Sequence, residues 1–542
     1  MTVREAALPL RRAVRARLPG ERGPSAALWI PAILVGMACV IPPVYLFVRA
    51  GQSPEAAWDA LLAGSTLRLV WNTAALAVGA TALATALALP LAWLTVRTDL
   101  PARRLVTVLA ALPLAIPSYI AAWLAVSAFG PRGLLQDALA PLGVERLPSI
   151  YGFWGATAVL ALFTYPYLLL TLRPAIAGLD PRLEELSRGF GHGRFHTFRH
   201  VVLPQLRPAL AAGGLLVALY AISDFGAVAL LRYDSLTRAL FVRYEAGFDL
   251  SGAAALALVL VSLALTLVAL ELWTRGRTRY HAAHGGGRAT RVATPHALGR
   301  WRWPAFAFVA GVLTLALAMP VALLGYWLVR GLAAGEAVRG VLSAALDSLL
   351  AAGLAAAVAA LAAFPIAMLA ARHRGFTLTR PLEALSYTGF ALPGLVVALA
   401  LVFAALGTGL LYQSLTLLVL AYALLFLPQA VGATRVSVLQ LRPSMEEAAR
   451  GLGRGPWGVL RTITLPLTSR GIFAGAVLVF LTAMKELPAT LLLSPIGFET
   501  LAARVWGASS EAFFAQAALP ALALIALSAL PLAVLTLTRR DA

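Results

Sequence analysis

Glu447-Ala448-Ala449, three residues, Gly453, nine residues, Ile463, one residue, Leu465-Pro466: this stretch of a 542-residue chain is written twice. The earlier copy runs Glu185-Leu186-Ser187, three residues, Gly191, nine residues, Val201, one residue, Leu203-Pro204, and every anchor is offset by 262. Each copy is a polar, arginine-rich insert between long apolar segments. An insert at equal register in two halves is most simply a pair of docking loops for a two-fold or pseudo-two-fold partner. Pro181 and Pro443 suit the first turn of a short helix, where a missing N–H costs nothing, and the acids Glu184, Glu185, Glu446 and Glu447 follow where the helix dipole favours them. Gly189 with Gly191, and Gly451 with Gly453, then permit a sharp turn, and Leu-Pro marks re-entry toward the membrane.

The duplication reaches beyond these loops. Asn72-Thr73 has a counterpart at Asp347-Ser348, Pro90 at Pro365 and Arg97 at Arg372, all at an offset of 275. The register falls to 262 because the second half is shorter between its spans.

Composition places the chain in lipid. Sixty per cent of the residues are hydrophobic and 13% charged, with a mean hydropathy of +0.82, whereas a soluble protein has about 45–50% apolar and about 25% charged residues. The single cysteine, Cys39, excludes a disulfide framework and a cysteine metal cluster. Apolar runs predict twelve spans, near 29–49, 68–95, 105–128, 151–172, 209–231, 250–273, 304–329, 344–370, 384–406, 411–431, 472–493 and 515–538. With both termini cytoplasmic, 33 of the 44 basic residues fall on the inside and both repeated inserts are cytoplasmic. The net charge of +20 is thereby a matter of topology, and no nucleic-acid partner is expected. The expected fold is all-α and polytopic, in two pseudo-symmetric six-helix halves. Residues 1–24 form a basic tail, 25–274 the first half, 275–303 a flexible linker and 304–542 the second half. Pro113, Pro117 and Pro393 interrupt spans, either to open a pathway or to fit packing.

Histidines and acids are sparse. His281, His284 and His296 in the linker read as a basic tract rather than a metal site, and His192, His196 and His200 as one partner-facing or solvent-facing side of a helix. Asp224 and Glu486 stand 262 residues apart within the fifth span of each half, with the chain's sole lysine, Lys485, beside the second. Such groups are expensive in lipid and turn toward protein or a water-filled route. Two readings stay open: a structural ion pair with Lys485, or a path for a multivalent cation. No phosphate-binding Gly-x-x-x-x-Gly-Lys-[Ser/Thr] loop is present, and no nucleophile or metal set converges as an intramembrane enzyme would require. A secondary transporter would carry ion-coupling acids deep in its spans and has no need of the paired loops.

The Glu-Ala-Ala…Gly…Ile-x-Leu-Pro loop resembles the signature of permease subunits of binding-protein-dependent ATP-binding-cassette importers. The second copy matches at all six positions, the first at Glu185, Gly191, Leu203 and Pro204. Two such domains in one chain are similar to the ferric-iron permease group, as are Ser223-Asp224-Phe225-Gly226 and Lys485-Glu486-Leu487-Pro488-Ala489-Thr490. Thiamine and phosphonate permeases share the fused plan. The resemblance implies a type I importer fold in a bacterial cytoplasmic membrane, with no cofactor in this chain. It also implies two ATP-binding subunits, holding ATP and magnesium, docked through Glu184, Glu185, Gly189, Gly191, Leu203, Pro204, Glu446, Glu447, Ala448, Gly451, Gly453 and Pro466. An extracytoplasmic binding protein would deliver cargo to a path past Asp224, Lys485 and Glu486.

Overall fold

The computed structural model describes residues 25–131, 133–144, 146–245, 250–276, 296–335, 340–373, 375–409 and 411–538. The predicted tail 1–24 and linker residues 277–295, with His281 and His284, lie outside the described residues. Those described form helices joined by short turns, and a lone bridge between Thr98 and His296 is the sole strand-like pairing among them. Nine helices are long and apolar enough to cross a membrane, or ten if a bent pair counts as one, again among the described residues.

Three helices form the heart of the first half: Gly64–Arg97, Phe153–Ala177 and Leu203–Ser223. Val341–Arg372, Leu415–Gln440 and Leu465–Ala483 pack in the same way in the second. Lipid offers no hydrophobic drive for helices to associate, so close backbone approach has to supply it through dispersion. The sequence provides the small residues. Ala77, Ala80, Ala84 and Ala88 are buried on one face of their helix, and Ala352, Ala355, Ala359 and Ala363, each 275 residues later, are buried likewise. Gly213 is equally indispensable, because a Cβ there would lie 3.0 Å from Leu168 Cα, just as one on Gly475 would lie 3.0 Å from Ala430 Cα.

The first long helix of each half crosses to the other half. Ala26–Gln52 packs on Val341–Arg372 and Gly394–Thr408, while the segment Gly299–Ala333 touches Gly64–Arg97 and Ser118–Phe129. Trp123 stacks on Phe514 with ring centroids 5.5 Å apart, and Trp327 Nε1 donates to Ser127 Oγ at 3.3 Å.

Four predicted spans are broken rather than continuous. Helix Arg103–Leu109 and the turn Leu112–Ala115 are followed by Ser118–Phe129, and the chain bends by 95° between the two pieces. The cause is Pro117, which pushes the preceding Ile116 out of the helical region to φ −87°, ψ 117°. Pro393 does the same to Leu392, at φ −99°, ψ 116°, ahead of Gly394–Thr408. The predicted 209–231 span stops at Ser223 and resumes as Gly226–Leu230, and 472–493 stops at Ala483 and resumes as Pro488–Leu493. Among the described residues, three five-residue π-helical stretches, 198–202, 314–318 and 460–464, each end two residues before a proline, Pro204, Pro320 or Pro466. Widening the turn there accommodates a ring that offers no N–H to the carbonyl four residues back.

Candidate functional site: two docking loops and two broken spans

Each insert folds as a short helix, a tight turn and a second helical piece that runs into the next span. Pro181–Gly189 begins with Asp180 Oδ1 accepting the Arg182 N–H at 3.0 Å; Pro443–Gly451 is its equivalent. Gly189 and Gly451 are the last residues of these helices. Gly191 and Gly453 follow with φ of +81° and +82°. His192 N–H reaches back to Ser187 O and Gly191 N–H to Arg188 O, at 3.3 and 2.9 Å, and Arg454 with Gly453 repeats the pattern onto Ala449 and Arg450, at 3.1 and 3.0 Å. This is the Schellman closure, which requires a left-handed residue at the position both glycines hold. Valine at either position should loosen the turn, speeding hydrogen exchange of the helix before it about fivefold or more while membrane insertion holds, since a β-branched residue in that conformation costs over ~1 kcal/mol. Unchanged exchange in both single variants would count against the turn's role.

The buried acids are Glu184 and Glu446, whereas Glu185, Glu447 and Ala448 are exposed. The sequence placed all four acids alike in the first helical turns; the geometry gives Glu184 and Glu446 the inward contacts. Arg97 donates to Glu184 Oε1, with both side chains under a tenth exposed. Arg372 Nε lies 3.5 Å from Glu446 Oε2, and Thr464 Oγ1 donates to Glu446 Oε1 at 2.9 Å. Arg450 completes the second cluster at 4.0 Å. The two arginines arrive by helix length. Gly64–Arg97 has 34 residues and Val341–Arg372 has 32, about 50 Å each at 1.5 Å per residue, well beyond the ~30 Å hydrocarbon core. Their last turns therefore project into the docking loops. Arg97 and Arg372 were visible as a repeat pair, but not as partners of the loop acids, because their register is 275 and the loop register is 262.

Outward from the loops stand large apolar side chains in matching pairs: Leu183 and Met445, Phe190 and Leu452, Phe195 and Trp457. Phe195 is 76% and Trp457 69% exposed. Exposed aromatic residues on a rigid turn are the anchors of a protein interface. Leu203 and Leu465, with Pro204 and Pro466, start the helices that carry the chain back into its spans.

Asp224 and Glu486 sit at the breaks of the fifth spans and cap the short helices that follow. Asp224 Oδ1 accepts from Ala227 N at 2.9 Å and Val228 N at 3.4 Å, and Ser118 donates to its other oxygen. Glu486 Oε1 accepts from Ala489 N at 3.2 Å. Ser118 and Gly394 are equivalent, each following the proline that breaks the third span. A Cβ on Gly394 would lie 2.4 Å from Glu486 Oε1. The first half thus joins serine to the shorter acid and the second joins glycine to the longer one. Lys485 pairs with neither acid. Its Nζ donates to Leu114 O at 3.0 Å, the carbonyl end of the broken third span in the other half. Neutralisation of an acid by Lys485, one of the two readings the sequence left open, gives way to an inter-half bond to a backbone oxygen, a favourable place for a cation.

His192, His196 and His200 stack along the exposed side of the first loop, with ring centroids 4.2 and 4.1 Å apart. No group of three or more metal-ligating side chains converges among the described residues.

A helical chain with one loop built twice between apolar spans, and third and fifth spans broken against each other, has the features of a membrane permease. Residues 80–279 and 363–540 each match the binding-protein-dependent transport system inner membrane component, and the chain belongs to that family. It is 33% identical over 517 residues to the Fe(3+)-transport system permease protein FbpB 2 of Haemophilus influenzae, covering 94% of this chain and 98% of that one. The sulfate transport system permease protein CysT of Salmonella typhimurium is 31% identical over 184 residues, 33% of this chain and 65% of its own length. The molybdenum transport system permease protein ModB of Escherichia coli is 26% identical over 228 residues, 39% of this chain and 96% of its own.

Proposed function

We propose that this chain is the permease of an ATP-driven importer for ferric iron. The observation that carries the reading is near full-length similarity to a ferric-iron permease, in a chain with two copies of one docking loop. Two ATP-binding subunits, each supplying ATP and magnesium, dock on the cytoplasmic side at 180–204 and 442–466, with Phe195 and Trp457 as anchors. Burying each of those side chains is worth roughly 1.5–3 kcal/mol. An extracytoplasmic binding protein delivers cargo from the other side of a bacterial inner membrane. The chain has two pseudo-symmetric halves, 25–274 and 304–542, of six spans each. That count takes the bent pair as one span and adds the two apolar helices that begin at Gly394 and Phe514. Both termini are cytoplasmic.

Cargo passes the seam where the third and fifth spans break. Asp224 and Glu486 are held there by N–H groups, and Lys485 bridges the halves through Leu114 O. Such a bridge holds the halves together only while the seam is closed, so opening exchanges it for water or cargo. Labelled ferric iron, thiamine, phosphonate, sulfate and molybdate offered to vesicles with the complete complex test the cargo. ATP-dependent iron uptake at least tenfold above the others is expected, and uptake of another solute without iron would overturn the assignment.

A further inference from the structure

We propose that the end of the inter-half linker, residues 296–298, is a working part of the first docking site, with His296 as a positioning residue for Glu184. This rests on the docking reading above. The two buried acids are satisfied differently. Glu446 takes the Thr464 hydroxyl from its own loop, together with Arg372 and Arg450. At the position equivalent to Thr464 the first loop carries Val202, which has no hydroxyl. The second oxygen of Glu184 instead faces His296 Nε2, 3.9 Å away.

His296 is fastened for that purpose. Its N–H donates to Arg97 O at 2.8 Å, its carbonyl accepts from Asp99 N at 3.3 Å, and Leu298 N donates to Asp99 Oδ1 at 2.9 Å. Its ring lies nearly parallel to that of Trp93, with centroids 6.5 Å apart, and Trp93 meets Phe198 of the same docking loop edge-on. Arg97 also lies over the Trp93 ring. The strap therefore joins the end of the second span, the first docking helix and the start of the second half. Expected to be a flexible spacer throughout, the linker is in its described part a clamp on one loop. The two docking sites are consequently inequivalent: the second is closed by residues of its own loop and span, the first by Arg97 of its own span together with a segment arriving from outside its half.

Hydrogen exchange of the whole permease in lipid nanodiscs tests the strap without any partner. His296→Ala should speed exchange of residues 181–189 about tenfold and leave 443–451 within about twofold, since local opening follows the loss of local contacts. Adding Val202→Thr, which supplies the second loop's hydroxyl, should return 181–189 to within about twofold of the parent. Unchanged exchange in His296→Ala, equal acceleration of both loops, or no rescue by Val202→Thr would overturn the proposal. Should His296→Ala not accumulate, the same rescue is read as the amount of folded permease recovered. Titration with the ATP-binding subunit then separates the two layers. Faster exchange with unaltered subunit affinity would strike the docking reading and leave the strap standing, whereas about fivefold weaker binding restored by Val202→Thr supports both.

Discussion

Replacing Arg97 by methionine should all but abolish docking at the first loop, because it leaves the buried Glu184 carboxylate with only the His296 ring, 3.9 Å away, to face it. Removing one partner of a buried ion pair costs about 3–5 kcal/mol, equivalent to more than a hundredfold in any equilibrium that needs the helix in place. The docking helix then leaves its seat. The apolar side chains Leu183, Phe190 and Phe195 thereby lose the fixed arrangement that an interface needs. Arg97→Met with Glu184→Gln should recover most of the loss, since an amide facing methionine buries no charge. The equivalent change Arg372→Met should cost less, about 1–2 kcal/mol, because Glu446 keeps the Thr464 hydroxyl and Arg450. Binding of the ATP-binding subunit and transport, both measured on permease recovered from membranes, check the order of the three variants. Simple addition of losses in the double variant would show that the pair is not coupled, and equal losses for Arg97→Met and Arg372→Met would show that the extra partners of Glu446 do nothing.

The second large effect belongs to the seam. Gly394→Ser should lower transport about ten- to a hundredfold, since the new Cβ falls where Glu486 Oε1 now lies. Overpacking of this kind costs about 1–3 kcal/mol, and a displaced carboxylate forfeits its cap on Ala489, worth a further ~1 kcal/mol. Combining Gly394→Ser with Glu486→Asp rebuilds in the second half the Ser118–Asp224 arrangement of the first. Transport by that double variant should approach the parent, although each single change is harmful: Glu486→Asp alone leaves the shorter acid without a hydroxyl to meet it. Vesicle uptake at matched protein level is the measurement. Full activity of Gly394→Ser, or a double variant no better than the worse single one, would mean that third and fifth spans do not meet here during transport.

Much of this was legible from residue order. Twenty-residue apolar runs, the basic loops between them and the 262-residue repeat fix an all-helical membrane chain with one turn built twice, because lipid forces backbone hydrogen bonds into helices and glycine at 191 and 453 has a conformational meaning independent of context. Hydropathy was silent on the four broken spans. A sliding apolar window passes over Ile116-Pro117 and Leu392-Pro393 unchanged, although their backbone leaves the helix, and it passes over Asp224 and Glu486 in the same way.

Partner choice was beyond the sequence altogether. The offset of 275 for Arg97 and 262 for Glu184 hides a contact between residues 87 apart. Likewise, nothing local marks His296 of a basic linker as lying beside a docking helix more than a hundred residues earlier, or Lys485 as reaching Leu114 of the other half. Periodicity and composition act over one turn or one bilayer thickness, and so the sequence by itself determined that the chain is helical, that it crosses a membrane and that one loop is built twice. Which charge answers which, and where the halves are bolted together, depends on distances set only once two long helices overshoot the membrane and the first helix of each half packs against the other, and that the tertiary structure alone decided.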